Sequence, residues 1–541
     1  MNDELDDSLH QTMHAVSRLG GIQLLDTSIH RPATHLFLPS LDILQAQISS
    51  TEIRGGQAGG ISSMEKYKEK AQVISSRVRA VARKRYPLAV DLAQKYRKHS
   101  AKNAKMFISE PLPEAVTYIG HTRFATSSVN TEPELHPHEW TPFHMEDVWS
   151  FNTKSCQFEK HKVNVGLHIS HNGDFDILSA YGKKVVVNDV GLWLERILHC
   201  SNDLKGDSPK VASCMELFRV QGRWAAAARL AFVRLLNSTT DVTGGEPLSK
   251  TAPNTFPKEE HWSKWAQFLE SVWVKHMTNV VSSLGFNGYT IDLKAERYFV
   301  KALEQELDRD FNFTGSNLGA ILDNLSRHGS YHYVHRARMV LEIGHWGSLK
   351  VRAFLKHTVR GFLRFDLYTA MTEFLSRAEG SFGLQAHCSL EVGTVVIASK
   401  GQPMSLAFDP DLPIVLFGSE AEAVAVPVDE SGRWLSERID LDSNGEIMRI
   451  GPGRPLHEGT FSSTSLKATS AAETEVLGLE LSSGIDIRCY NLHQSAEISR
   501  EVLTARSVTI LSAPVKYDPK RDLVAADLSV TPAVLAEIDK G

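Results

Sequence analysis

Ile119-Gly120-His121-Thr122-Arg123-Phe124-Ala125-Thr126 opens the segment around which the chain is organised, and His168-Ile169-Ser170-His171-Asn172-Gly173-Asp174 closes it. His136-Pro137-His138 lies between them. The apolar residues Ala115 to Ile119 predict a strand, and Val163 to Ile169 predict another. Each half of the segment therefore has the same form: an apolar strand that ends in polar residues able to hold a ligand.

Arg123 and the pair Asn172-Gly173 carry the chemistry of this segment. The guanidinium of Arg123 is planar and always charged, so it suits a carboxylate. Asn172-Gly173 predicts a turn in which a side-chain amide and an unhindered backbone N–H point the same way. Two such donors suit an oxyanion hole.

The three motifs in this order resemble the class II glutamine amidotransferases, which are N-terminal-nucleophile (Ntn) hydrolases. The resemblance is greatest to the glutaminase domain of glucosamine-fructose-6-phosphate aminotransferase, and it covers roughly residues 19–450. It implies an α+β fold, a four-layer α-β-β-α sandwich of two antiparallel sheets with large helical insertions. It also implies hydrolysis of L-glutamine to glutamate and ammonia, which passes to an acceptor.

The resemblance also assigns roles to individual residues. Arg123 would bind the glutamine α-carboxylate and Asp189 its α-ammonium group, while Asn172 and Gly173 would hold the oxyanion. The loop that covers the ligand would contain Thr126, Ser127 and His136.

Two of these assignments have a simpler alternative. Arg54, before a glycine-rich segment, would order the site by resemblance, but a cation in the last turn of a glycine-terminated helix explains it equally well. Asp189 precedes an apolar helical run, so helix capping alone also accounts for it.

The family's nucleophile is an N-terminal cysteine that begins a Cys-Gly-Ile strand. Here Gly20 stands at that place, in Gly20-Gly21-Ile22, and the first cysteine in the sequence is Cys156. Class II chemistry needs the thiol and the free α-amine on one residue. Two hypotheses follow: an amidotransferase whose start is misassigned, or an inactive pseudo-amidotransferase that binds glutamine for regulation or assembly. We expect no glutaminase activity from the chain as given.

The remaining sequence predicts a disordered segment at 1–18 and a linker with a C-terminal segment at 451–541. Within the amidotransferase domain at 19–450, two helical insertions are expected at 62–114 and 200–370. The first is basic and predicts two helices broken at Pro87, which suggests either a solvated surface or a site for phosphate, RNA or an acidic partner. The second contains His328, His332, His335 and His345, spaced too loosely to predict a metal site.

Composition bounds the class of protein. A net charge of −5 over 541 residues gives no general case for nucleic-acid binding. Five cysteines without metal or disulfide spacing fit a reducing compartment. The acidic N-terminus is not a secretory signal, and no apolar run is long enough for a membrane span. We expect a cytoplasmic protein without a metal or cofactor, with a synthase partner or a longer natural chain receiving the ammonia.

Overall fold

The structure is a computed structural model. It describes residues 18–25, 40–52, 56–67, 72–83, 87–107, 113, 115–123, 132–152, 157–180, 183–200, 204, 206–235, 257–283, 293–311, 348–429, 432–452 and 477–509. The predicted disordered N-terminus, apart from Arg18, and most of the predicted linker after residue 451 lie outside these ranges.

The described strands and helices follow one another in this order. They are β1 (Arg18–Leu25), α1 (Ser40–Glu52), β2 (Ala58–Tyr67), β3 (Gln72–Val81), α2 (Leu88–Phe107), β4 (Ala115–Arg123), β5 (His144–Asn152), β6 (Gln157–Val165), β7 (Leu167–Ala180), β8 (Lys183–Val186), α3 (Val187–Leu198), α4 (Asp207–Phe218), α5 (Trp224–Leu235), α6 (Glu259–Ser283), α7 (Leu293–Phe311), α8 (Ser348–Arg364), α9 (Leu367–Leu375), β9 (Ala378–Cys388), β10 (Val395–Lys400), β11 (Ser405–Phe408), β12 (Ile414–Gly418), α10 (Ala421–Val424), β13 (Glu437–Asp440), β14 (Glu446–Pro452), β15 (Leu479–Glu480), β16 (Ile485–Asn491), β17 (Ala496–Glu497), α11 (Arg500–Arg506) and β18 (Val508–Thr509).

The strands form two large antiparallel sheets and one hairpin, so the fold is α+β. The first sheet has the order β18-β13-β11-β12-β1-β4-β2-β3. The second has the order β15-β16-β14-β10-β9-β7-β8, with β17 also paired to β16, and β5 pairs with β6 separately. Strand β4, which contains the predicted strand 115–119, lies inside the first sheet between β1 and β2.

Alternation along β4 shows which side of the first sheet faces which neighbour. Ile119 belongs to a core shared with Val395 and Met448 of the second sheet. Tyr118 belongs to another core, shared with Leu44 of α1 and Leu92 of α2. Because successive side chains of a strand point to opposite faces, the odd-numbered residues of β4 face the second sheet and the even-numbered ones face the helices.

The second sheet has helices on its other face. Ile169 and Phe175 of β7 pack in a core with α3, α4 and α9. The even-numbered residue His168 instead lies beside His387 of β9, whose ring nitrogens contact Ser62 and Thr117 of the first sheet. Asn172, in the same phase as His168, therefore points toward the first sheet.

The described parts of residues 200–370 are helical. Trp224 of α5 stacks on Phe362 of α8 and packs edge-on against Trp273 of α6, with Phe299 of α7 beside them. This aromatic core joins the helices to the second sheet's helical side. No helix among the described residues is long and apolar enough to cross a membrane.

Three predictions about a helix, the limits of a strand and a domain boundary were wrong. Residues 62–67 and 72–81 form strands rather than a helix. In β3, Arg77 and Arg79 alternate with apolar neighbours, and that period of two is typical of a strand. The prediction relied on the number of basic residues in this segment and not on their alternation with apolar residues.

The other two errors concern boundaries. Val163 to Ile169 is not one strand, because the chain passes from β6 to β7 at Gly166, where an added Cβ would lie 2.5 Å from Phe143 Cδ2. The boundary at residue 450 also does not divide the structure. β16 pairs with β14, and β18 pairs with β13, so residues after 476 extend both sheets.

Candidate functional site

Arg123 ends β4 on the face that looks toward the second sheet. Its Nη1 donates to the carbonyl of Glu134, at 3.0 Å, in the short 3-10 turn Glu132–Glu134. Burial lowers the pKa of Arg123, and the nearby carboxylates of Glu134 and Asp207 oppose that effect. Within the described part of the chain, no carboxylate oxygen lies within 4.0 Å of Arg123 to form an ion pair. The guanidinium is thus largely left for a ligand.

Asn172 and Gly173 lie inside strand β7, opposite Gly383 and Phe382 of β9, so the turn predicted at this pair is wrong. Gly173 has φ +97°, and an added Cβ would lie 2.0 Å from the carbonyl oxygen of Ser381, so only glycine fits there. The side chain of Asn172 is buried, and its Nδ2 donates to Gln402 Oε1 at 3.4 Å. In the part of the chain that the structure describes, its Oδ1 has no hydrogen-bond partner. Gln402 therefore orients the Asn172 amide, whose oxygen can still accept a hydrogen bond.

Gln402 is itself held in place. Its side-chain Nε2 donates to Ser381 Oγ at 3.1 Å, and its backbone carbonyl accepts a hydrogen bond from the hydroxyl of Ser399. Gln402 lies in the turn between β10 and β11, and sequence reasoning missed it because nothing local in the sequence links that turn to Asn172.

Three buried histidines pack beside Arg123. The rings of His121 and His136 are 4.2 Å apart, and the backbone N–H of His171 donates to His136 Nδ1 at 3.3 Å. Burial and the charge of Arg123 lower the pKa of His121 to about 3, and burial lowers the pKa of His136 and of His171. All three rings are therefore neutral at pH 7. Among the described residues, the Nε2 of His171 has no hydrogen-bond partner.

The start of α4 reaches this group. Ser208 Oγ lies 3.1 Å from His171 Nδ1 and 3.4 Å from His136 Nε2. Since His136 Nδ1 accepts the His171 N–H, its neutral ring carries the proton on Nε2 and donates it to Ser208. Asp207 Oδ2 accepts the N–H of Phe175 at 3.0 Å and lies 3.6 Å from His171 Nδ1. Asp207 is therefore fixed by β7 near Arg123.

The structure brings together only part of the predicted residue set. Arg123 influences His136 electrostatically, and His136 accepts the backbone N–H of His171, the residue that precedes Asn172 and Gly173 on β7. Asp189 is exposed in the first turn of α3, whose N-cap is Val186 without a side-chain cap hydrogen bond. Asp189 therefore does not cap the helix through that position. Arg54, Thr126 and Ser127 lie outside the described residues.

Asp207 is the carboxylate near Arg123 that sequence reasoning missed. A sequence signal was present, because Gly206-Asp207-Ser208-Pro209 is a typical helix start. Nothing in that signal distinguishes a helix-capping aspartate from one that faces a ligand. Among the described residues no group of three potential metal ligands lies together, and the four histidines 328, 332, 335 and 345 fall outside them.

Gly20 lies in β1 directly opposite Gly120 of β4 and Gly418 of β12. Position 20 thus shares a sheet face with Gly120, an even-numbered residue of β4, whereas Arg123 and His121 lie on the other face. Position 19 is the one opposite His121. The backbone register does not place residue 20 toward Arg123, as a nucleophile there would require.

Comparisons with known proteins find structural similarity only. No family model and no curated protein matches the sequence. The glutamine phosphoribosylpyrophosphate amidotransferase from B. subtilis, solved with ADP and GMP, is 12% identical, with a TM-score of 0.27, over 80% of this chain and 47% of its own. The structure titled as the allosteric regulatory enzyme of purine biosynthesis is 12% identical, with a TM-score of 0.26, over 79% and 47%. The chain spans about half the length of these solved proteins, and similarity at this level does not establish family membership.

Proposed function

We propose that this chain contains a class II glutamine amidotransferase-type domain that binds L-glutamine beside Arg123. The observation that carries the proposal is the arginine itself: it lies at a strand end between two sheets, without a carboxylate at ion-pair distance among the described residues. A guanidinium in that state favours a carboxylate ligand through charge-assisted hydrogen bonds. Helices on the outer face of each sheet support the four-layer Ntn arrangement.

Asp207 supports an amino acid rather than a simple acid as the ligand. Arg123 and Asp207 influence each other electrostatically, yet they are too far apart for a direct ion pair. An α-amino acid placed between them would present its carboxylate to Arg123 and its ammonium group to Asp207. This proposal gives Asp207 the role that the resemblance assigns to Asp189, which is exposed.

The amide of glutamine would extend toward Asn172 and Gly173. Asn172 Nδ2 already points at an oxygen of Gln402, and an amide carbonyl or its oxyanion would replace or share that acceptor. In the class II reaction a thiolate attacks the amide carbon, ammonia leaves, and water releases glutamate. Gly20 supplies no thiol for that attack, and neither does any other residue before Cys156.

A second candidate is glutamine binding without hydrolysis. The observation that favours it is the register of β1, because Gly20 lines up with Gly120 and Gly418 rather than facing Arg123. A glycine at this place is explained by packing and not by a lost nucleophile. In this case the domain would sense glutamine or serve assembly.

Ligand titration tests the binding proposal directly. We expect millimolar L-glutamine to raise the melting temperature of the purified chain. Glutaramate, which lacks the ammonium group, should bind more weakly, and the methyl ester of glutamine should not bind. Absence of any shift with L-glutamine or L-glutamate would contradict the proposal. Glutamate release, measured in the same samples, separates hydrolysis from binding alone.

A further inference from the structure

A second site lies on the far side of the second sheet from Arg123. A cavity of about 550 Å³ opens between the hairpin β5–β6 and helices α4, α5 and α6. This volume is within the range of small-molecule sites. Its walls include the residues Trp149 and Trp224, together with Ser263 and Gln267 of α6.

The arginines that line the cavity are already neutralised. Each has a carboxylate at contact distance: Arg219 with Glu391 at 2.6 Å, Arg223 with Glu146 at 2.8 Å and Arg229 with Glu259 at 2.7 Å. Arg223 uses Nε and Nη2 on Glu146 and Nη1 on the carbonyl of Arg219. An anionic ligand would therefore have to compete with carboxylates that are part of the fold.

Glu216 differs from the other carboxylates of the wall. Its Oε1 accepts the backbone N–H of Thr141 at 3.1 Å, and its Oε2 accepts the hydroxyl of the same residue. No cationic side chain among the described residues lies within 4.0 Å of it. Glu216 lies deep in the protein, but part of its surface is open to the cavity. Each oxygen keeps a lone pair for a further donor.

The other acids of the described wall are paired: Glu146 with Arg223, Glu259 with Arg229, and both Asp147 and Glu270 with Lys160. The described residues of this wall include the five acids Glu146, Asp147, Glu216, Glu259 and Glu270, and the four bases Lys162, Arg219, Arg223 and Arg229. With the arginines occupied, a carboxylate without a described cationic side chain at ion-pair distance, in a wall that contains two tryptophans, suits a ligand with a positive group on a short apolar body.

We propose that this cavity is a binding site for a small organic cation, an amine or a guanidine, whose charged group pairs with Glu216. The remaining apolar part of the ligand lies against Trp149 and Trp224. The site is separate from the one beside Arg123 and does not depend on the function proposed there.

Calorimetric titration of the full chain at pH 8 tests the proposal with n-butylammonium and n-butylguanidinium, and with butyrate and phosphate as anionic counterparts. We expect the cations to bind and the anions not to bind. Glu216→Gln should weaken cation binding about tenfold or more, because the amide loses the charge. Its oxygen can still accept the Thr141 N–H, and its nitrogen can donate to the Thr141 hydroxyl. Glu304→Gln, which affects an exposed pair with Arg352, is the matched control and should change the affinity less than about twofold.

A second variant separates loss of charge from loss of fold. Ala266 lines the cavity, so Ala266→Phe should fill the space and abolish cation binding while Glu216 remains. Equal cation binding by Glu216→Gln and the parent chain would overturn the proposal. Binding of butyrate or phosphate in place of the cations would do so as well, as would the absence of binding by any of the four probes.

Discussion

Gly20 of β1 stands directly opposite Gly120 of β4, and on its other side it pairs with Gly418 of β12. The three glycines lie side by side across neighbouring strands, and their positions belong to the same sheet face as Thr122. On that face Thr122 Oγ1 donates to Thr51 Oγ1 of α1. Helix α1 packs against β1 and β4 on this face. Glycines at these positions let a helix approach a sheet closely.

An N-terminal cysteine at position 19 or at position 20 should show which face of β1 supports catalysis. Chains that begin at a cysteine, either Leu19→Cys or Gly20→Cys, both offer a free α-amine. Only position 19 lies opposite His121, on the Arg123 face, so we expect glutamate release from the first variant alone. The release should stop after alkylation with iodoacetamide. Activity of Gly20→Cys without activity of Leu19→Cys would contradict the register.

Arg123→Ala should abolish the stabilisation that L-glutamine gives. The lost charge-assisted contact with the ligand carboxylate corresponds to about 1.5–3 kcal/mol. Thermal shift at a series of glutamine concentrations measures this loss. Arg97→Ala is the matched control, because Arg97 forms an exposed pair with Asp42 and should leave glutamine binding unchanged. An unaltered glutamine shift in Arg123→Ala would exclude Arg123 from the site.

Asp207→Asn should weaken binding of L-glutamine by about tenfold while leaving binding of glutaramate nearly unchanged, since only glutamine carries the ammonium group. The asparagine can still accept the N–H of Phe175, so the start of α4 should hold. Asp189→Asn is the comparison variant and should behave as the parent chain. If Asp189→Asn rather than Asp207→Asn loses glutamine selectively, the ammonium group binds at α3.

The buried histidines should make the protein sensitive to acid. Burial first, and the charge of Arg123 second, lower the pKa of His121 from 6.5 to about 3. The unfolded chain therefore binds the proton more readily than the folded one, and stability falls as pH drops from about 6.5 toward 3. Between pH 7 and pH 5 this residue alone should account for about 2 kcal/mol.

Replacing His121 by an apolar residue isolates that contribution. Urea unfolding of His121→Leu at both pH values should show a smaller loss of stability than the parent chain shows. A fall of equal size in the two proteins would mean that other groups cause the acid sensitivity.

Glu216 should have the opposite pH dependence. Burial raises its pKa from 4.5 to about 7, against the favourable contacts of Thr141 and the charges of Arg223 and His144. The folded state therefore binds the proton more readily, and stability falls as pH rises from about 4.5 to about 7. The unfolding free energy of Glu216→Gln, measured relative to that of the parent chain, should therefore rise by about 1–3 kcal/mol from pH 5 to pH 8.

Urea unfolding at the two pH values measures this difference in the unfolding free energy. Cys200 is also close to Glu216 and has a raised pKa, so the comparison is made below the range where the thiol titrates. A difference between the two proteins that stays constant with pH would show that Glu216 is ionised at both values.

Features that depend only on neighbouring residues could be predicted from the amino-acid sequence. The apolar run before Arg123 gave a strand, because its residues favour a buried, pleated surface wherever the strand lies. Asn172-Gly173 marked a special backbone position, and Gly173 does adopt a positive φ that other residues avoid. These are local properties of the chain, and they identified the middle of the candidate site.

Which residues meet across long distances in the sequence depends on how the sheets and helices pack. Arg77 and Arg79 lie in β3, which is joined to the sheet by β2, and β2 also pairs with β4. The number of charged residues in the segment does not predict this pairing. Asp207 rather than Asp189 lies near Arg123, because the packing of α4 on β7 brings it there. The sequence contains many carboxylates of equal chemistry, and their distance from Arg123 is set by how sheets and helices pack.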